Sequence, residues 1–179
     1  MPNLRGVAVV TLLLASSLLL SQAGRKAPSV TVAPVATPEI AQGKAGEVEV
    51  HFRIAPGFHI NSNTPKSEYM IPTALRLDAP TDIMIGKITY PDGKDMTFPF
   101  APEEKLSVYS GDFTVSLMVQ PLRSVTPGTY AVHGSLKYQA CDNAACYPPK
   151  TVPVDFNVKV RRGASSGGHN PAQSPHAHR

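Results

Sequence analysis

Glu-Val-Glu-Val-His-Phe-Arg-Ile, residues 47–54, alternates one apolar residue with one polar residue for eight positions. A period of two belongs to a β-strand with one face buried and one face wet, because successive side chains point to opposite sides of the pleat. The pattern recurs along the chain. Phe113, Val115, Leu117 and Val119 alternate with Thr114, Ser116, Met118 and Gln120. Tyr130, Val132, Leu136 and Tyr138 lie on one side of a second long run, and Val152, Val154, Phe156, Val158 and Val160 on one side of a third. Shorter strands are expected at Thr73 to Leu77 and Ile83 to Thr89. Turn signals separate these runs: Ala55 to Gly57, Pro91 to Gly93, Ser110 to Asp112 and Thr126 to Gly128.

No window carries a helical stripe, and 18 prolines interrupt most attempts at one. The chain is therefore expected to be all-β. Six to eight short strands with one apolar face each must bury those faces against a second sheet, which makes an immunoglobulin-like β-sandwich the natural architecture; a closed barrel is the other solution. No internal repeat is present.

The ends have a different character. Arg5 precedes an apolar run from Gly6 to Leu20, and Ser21-Gln22-Ala23 then places small residues at the −3 and −1 positions of a cleavage site. That is the pattern of a secretory signal peptide, and the run falls short of the ~20 residues that a spanning helix needs. Residues 1–23 are thus expected to be removed, leaving an exported chain, periplasmic or secreted, that does not span the membrane and meets oxidising conditions. Residues 24–45 read as an extended lead-in able to supply an edge strand, residues 46–160 as one domain, and residues 161–179 as a disordered tail. The tail carries His169, His176 and His178 but no aliphatic residue larger than alanine.

The formal charge of +4 sits at the ends. Without Arg5, Arg161, Arg162 and Arg179, the stretch from Gly24 to Val160 holds 13 basic residues against 13 acidic ones. A nucleic-acid binder needs a basic face on its folded part, so that class is excluded.

The two cysteines stand five positions apart, in Tyr138-Gln-Ala-Cys-Asp-Asn-Ala-Ala-Cys-Tyr-Pro-Pro-Lys150. Extended, that interval would span roughly 16 Å, whereas a disulfide needs Cα atoms about 4.4 to 6.8 Å apart. A bridge between Cys141 and Cys146 therefore requires a tight turn, which Asp142 and Asn143 favour by bonding nearby backbone. The spacing leaves three readings open: a redox pair, a local staple, and a metal site using His133 or the tail histidines. Two sulfur ligands alone underfill a metal site, and no metal or other cofactor is expected. An inert staple would make the chain a non-catalytic binding module.

The segment from Tyr138 through Val154, together with Phe58-His-Ile-Asn-Ser-Asn-Thr-Pro65, Tyr69 and Ile71-Pro-Thr73, resembles the N-terminal periplasmic domain of the thiol:disulfide interchange protein DsbD. The likeness covers roughly Val48 to Val160. It implies an immunoglobulin-like sandwich whose cysteine pair relays reducing equivalents between a membrane-embedded thiol transporter and thioredoxin-like periplasmic proteins. It further implies that Cys146 faces the partner and Cys141 resolves the mixed disulfide. DsbD proper continues into a membrane domain and a thioredoxin-like domain; this sequence has neither, so its electron source is expected in trans. Four residues separate the cysteines here where some family members have five. The family shields its pair with an aromatic cap, for which Thr97-Phe-Pro-Phe-Ala-Pro-Glu-Glu-Lys105 offers Phe98 or Phe100 despite departing from the family pattern. Asp142 is a turn former that would also raise a nearby thiol pKa or take its proton. Tyr138 and Tyr147 are placed to pack over the sulfurs.

Overall fold

The computed structural model describes residues 29–163. The expected signal peptide and all but the first residues of the expected tail lie outside that range. Among the described residues there are thirteen strands and no helix. Their order is β1 (Val30–Val32), β2 (Glu39–Ala41), β3 (Gly46–Ile54), β4 (His59–Asn61), β5 (Ala74–Asp78), β6 (Ile83–Thr89), β7 (Lys94–Phe98), β8 (Ala101–Ser110), β9 (Asp112–Pro121), β10 (Gly128–Tyr138), β11 (Ala140–Cys141), β12 (Lys150–Pro153) and β13 (Phe156–Arg161).

The expected alternation becomes burial directly. In β3, Val48, Val50, Phe52 and Ile54 are buried while Glu47, Glu49, His51 and Arg53 face solvent. β9 pairs with β3 in antiparallel register, Val50 opposite Val115 and Phe52 opposite Phe113, so the apolar sets of both strands fall on one face. The Phe52 and Phe113 rings stack with centroids 5.0 Å apart, and Tyr109 stacks on Phe113 at 4.9 Å. The first sheet runs β1-β3-β9-β6.

The second sheet is organised by β10, which pairs with β5, β12 and β13. Its Val132 and Leu136 join Val154, Val158 and the inward residues of β3 and β9 in a single core. These two sheets, packed on one core, are the immunoglobulin-like sandwich; the described residues form open sheets and no closed barrel. The third apolar run of the sequence is divided into β12 and β13 at Val154–Asp155. Its register on β10 continues across the gap, Ser135 facing Pro153 and Val132 facing Phe156. In the gap the Val154 N–H still donates to the Gly134 carbonyl at 2.9 Å, and Pro153, opposite Ser135, occupies a non-hydrogen-bonded position where its missing N–H costs the ladder nothing.

Both ends of the described chain are held by backbone pairing. β1 lies antiparallel on β3, and β2 lies parallel on β13. β13 ends at Arg161, the first residue of the expected tail, and the Gly163 N–H donates to Gln42 Oε1 at 3.0 Å.

A third, smaller sheet positions the cysteines. Its order is β11-β4-β8-β7, so the two-residue strand ending in Cys141 is laid against β4. The β7–β8 hairpin carries its own apolar cluster of Phe98, Leu106 and Val108, with Met70 and Phe100 packed on it. β8 reaches β9 through Gly111, whose φ of 68° a side chain would resist.

Candidate active site

After Tyr138 the chain leaves β10, and Ala140 and Cys141 pair with Ile60 and His59 of β4. A polar network fixes this docking. The Asn61 amide Nδ2 donates to Gln139 Oε1 at 3.2 Å and to the Ile71 carbonyl at 3.0 Å. Thr73 Oγ1 donates to the Asn61 carbonyl at 2.6 Å, and the Thr73 N–H to the Ser62 carbonyl at 3.1 Å. Asn61, Ser62 and Thr73 are all buried, and a buried polar group left unpaired costs about 1–3 kcal/mol, so these side chains specify one arrangement of the strand.

Cys141 and Cys146 are joined by a disulfide, with their Cα atoms 3.9 Å apart, closer than the expected range. The Asp142 N–H donates to the Ala145 carbonyl at 2.9 Å and the Tyr147 N–H to the Ala140 carbonyl at 2.8 Å. These bonds flank the cysteines, which therefore occupy a non-hydrogen-bonded position of a small antiparallel ladder, where opposed residues approach most closely. Asp142 closes the loop. Its Oδ1 accepts the N–H groups of Ala144 at 2.8 Å and Ala145 at 2.9 Å, and its Oδ2 accepts the Tyr147 hydroxyl at 2.6 Å. The Tyr147 hydroxyl first, then the two N–H groups, hold the Asp142 carboxyl below its ordinary range. Asp142 is thus committed as an acceptor to the loop itself.

The two sulfur-bearing residues differ in access. Cys141 is 0% exposed, while Cys146 is half-buried on the outgoing side of the loop. Tyr147 packs edge-on against Phe58, with centroids 5.8 Å apart. Tyr138 goes elsewhere: it is buried, and its hydroxyl accepts the Val30 N–H at 3.2 Å, tying β10 to β1. His133 is also apart from the cysteines, on an exposed face with its Nδ1 2.8 Å from Asp155 Oδ1. Among the described residues no group of three or more His, Cys, Asp and Glu side chains could hold a metal ion. The tail histidines lie outside them.

Phe98 and Phe100 reach the site through His59. Directly across the ladder from Cys141, the His59 ring stacks on Phe98 with centroids 3.8 Å apart and planes 10° apart. Phe100 follows, 5.5 Å from Phe98 and 6.5 Å from His59, with all three rings nearly parallel. Phe98 is buried and Phe100 half-buried. His59 is 5% exposed, and its Nε2 is buried without a hydrogen-bond partner. Burial pushes its pKa down from 6.5 to about 4, against the opposing pull of the Asp142 carboxylate, so the ring is neutral at pH 7. The sequence reading gave His59, Asn61 and Gln139 no role. The signal in the sequence is that His59 and Asn61 fall within the Phe58–Pro65 stretch that resembles the family, and that Gln139 precedes the cysteine motif.

A family model described as the N-terminal part of the thiol:disulfide interchange protein DsbD matches residues 27–157. No curated protein sequence matches this one. Among solved structures, the chain is similar to the N-terminal domain of DsbD from Neisseria meningitidis in the reduced form, with 22% identity, a TM-score of 0.46, and 72% of this chain and 85% of that chain covered. It is also similar to the N-terminal periplasmic domain of ScsB from Proteus mirabilis, at 12% identity and a TM-score of 0.41, covering 73% of this chain and 44% of that one. The seventh PapD-like domain of human CEP192 shares 11% identity over 83% of this chain and 97% of that domain, with a TM-score of 0.41.

Proposed function

Because the chain belongs to the family of N-terminal domains of the thiol:disulfide interchange protein DsbD, we propose that it is a thiol–disulfide interchange module whose working couple is Cys141 and Cys146. The observation that carries this reading is the asymmetry of the bridge: a small loop presents one half-buried cysteine and keeps the other fully buried. Exchange requires in-line access of an attacking thiolate to one sulfur, and a structural bridge has no need of that difference.

In the reduced form the Cys146 thiolate attacks one sulfur of an oxidised partner's disulfide, and the partner's other sulfur leaves as a thiolate. The Cys141 thiolate then attacks Cys146 Sγ, breaking the mixed disulfide and releasing the partner's second sulfur. Two electrons pass to the partner, and the two protons given up by Cys141 and Cys146 are taken up by the partner's thiolates through solvent. Reduction of the Cys141–Cys146 bridge by a donor dithiol is the same sequence reversed. Partners of the thioredoxin-like class, and a membrane-embedded thiol transporter as donor, fit this chemistry. Phe98 and Phe100, stacked over the residue that faces Cys141, and Tyr147, bonded to the loop, act as shields against non-partner thiols, while Asp142 sets the loop. The reading includes export: residues 1–23 as a cleaved signal peptide, the folded domain at 46–160 with its lead-in at 24–45 and a tail at 161–179, and work in the periplasm or outside the cell.

Trapping tests it. Cys141→Ser should accumulate a mixed disulfide with an oxidised thioredoxin-like protein through Cys146, and Cys146→Ser should trap far less. Equal trapping by both variants would reject the roles. No trapping by either, with a bridge that resists millimolar dithiothreitol in the folded protein, would make the chain a binding module with a structural disulfide.

A further inference from the structure

His59 is the buried polar group that the exchange steps above do not use. It faces Cys141 across the β4–β11 ladder, and directly opposed residues on one face of such a ladder have Cβ atoms about 4.5–5.5 Å apart. Its Nε2 has no partner while the bridge is closed. Both side chains are shut away from water, since Cys141 is 0% and His59 5% exposed. Phe98 lies flat on the imidazole and leaves it no route to solvent on that side.

A disulfide sulfur is a poor partner for such an atom, because it carries no proton to donate and accepts weakly. Reduction changes this. A Cys141 thiol has an S–H to give to an imidazole lone pair, and a Cys141 thiolate accepts an imidazole N–H. With the His59 proton on Nδ1, opening the bridge supplies at Cys141 the donor that the Nε2 lone pair lacks when it is closed. The reduced state then gains a hydrogen bond and loses an unsatisfied buried atom, and the oxidised state gains neither.

We propose that His59 is a positioning residue that sets the reduction potential of the Cys141–Cys146 couple, by pairing its Nε2 with the Cys141 sulfur only in the dithiol form. The half-reaction takes two electrons and two protons from a donor dithiol, and both protons end on the cysteine sulfurs; His59 lends a hydrogen bond and is neither oxidised nor reduced. Its neutrality at pH 7, imposed by burial, keeps the imidazole lone pair open to the thiol. The inference rests on the thiol–disulfide reading of the pair.

The test is the equilibrium between the protein and glutathione. His59→Phe keeps a ring for Phe98 to stack on and removes the polar atom. It should shift the equilibrium toward the disulfide about tenfold, which for a two-electron couple lowers the potential by about 30 mV. His59→Gln returns a polar nitrogen or oxygen near the place of Nε2 and should recover most of the shift. In the unaltered protein, the His59 ring ¹⁵N signals should move on reduction; this readout needs no variant to fold. A folded His59→Phe protein within twofold of the original, or His59 signals indifferent to the redox state, would overturn the role of His59 and leave the interchange reading intact. A bridge that does not equilibrate with glutathione at all would overturn both.

Discussion

Reducing the bridge should cost this protein little stability. The cysteines are five positions apart, so the closed ring holds about six residues, and the chain-entropy relation gives such a ring about 2 kcal/mol at 25 °C, against ~4.7 kcal/mol for a loop of about 100 residues. The local structure supports the low figure, because the loop does not depend on the bridge for its shape. The Asp142–Ala145 and Tyr147–Ala140 backbone bonds, the two N–H groups on Asp142 Oδ1 and the Tyr147 hydroxyl on Oδ2 are all made without either sulfur. The freed Cys141 thiol remains buried opposite His59 on β4. With a urea m-value of about 2 kcal/mol/M, a 2 kcal/mol loss moves the unfolding midpoint by about 1 M without changing the slope. Paired urea titrations of oxidised and dithiothreitol-reduced protein, followed by far-UV circular dichroism, measure it directly. A loss above about 4 kcal/mol, or a changed slope, would mean that the bridge holds β11 against β4, and the case for a working couple would fail with it.

Acid should expose His59. Its folded pKa, about 4, lies below the ordinary 6.5, so the unfolded chain takes up a proton first as pH falls. Stability is therefore full above about pH 6.5 and declines toward pH 4, by at most about 3.5 kcal/mol at 1.36 kcal/mol per unit; His59→Phe should lack this decline in thermal melts run across that range. Gly134 tests the crossing of β5 over β10. A Cβ there would collide with the Arg76 carbonyl oxygen and stand 2.7 Å from Leu77 Cδ2, so Gly134→Ala should cost about 1–3 kcal/mol by overpacking, and a neutral result in urea unfolding would contradict the β5–β10 pairing.

How much of the fold was legible follows from how each strand is buried. β3 and β9 have one face on the core and one in water, which forces a period of two that a reader can see. β8 breaks the rule: its first half is largely exposed, and Leu106 to Tyr109 are buried on both faces. β4 is buried at all three of its positions, so His59, Ile60 and Asn61 show no alternation and nothing in their pattern signals a strand. β11 is two residues long and exists only because β4 is there to receive it.

The same physics separates what could be read of the site from what could not. That a bridge between Cys141 and Cys146 demands a tight turn, and that Asp142 would form it, needed only chain geometry and the hydrogen-bonding habit of a short carboxylate. Which sulfur would be buried depends on something else, the register that sets Cys141 against His59 while the chain turns outward again at Cys146. No local property of either cysteine encodes that register; Asn61, Gln139 and Thr73 fix it through bonds between distant segments. The asymmetry on which the proposed interchange rests is thus a property of the β4 docking site, so that weakening Asn61 is expected to equalise the access of the two sulfurs without touching either of them.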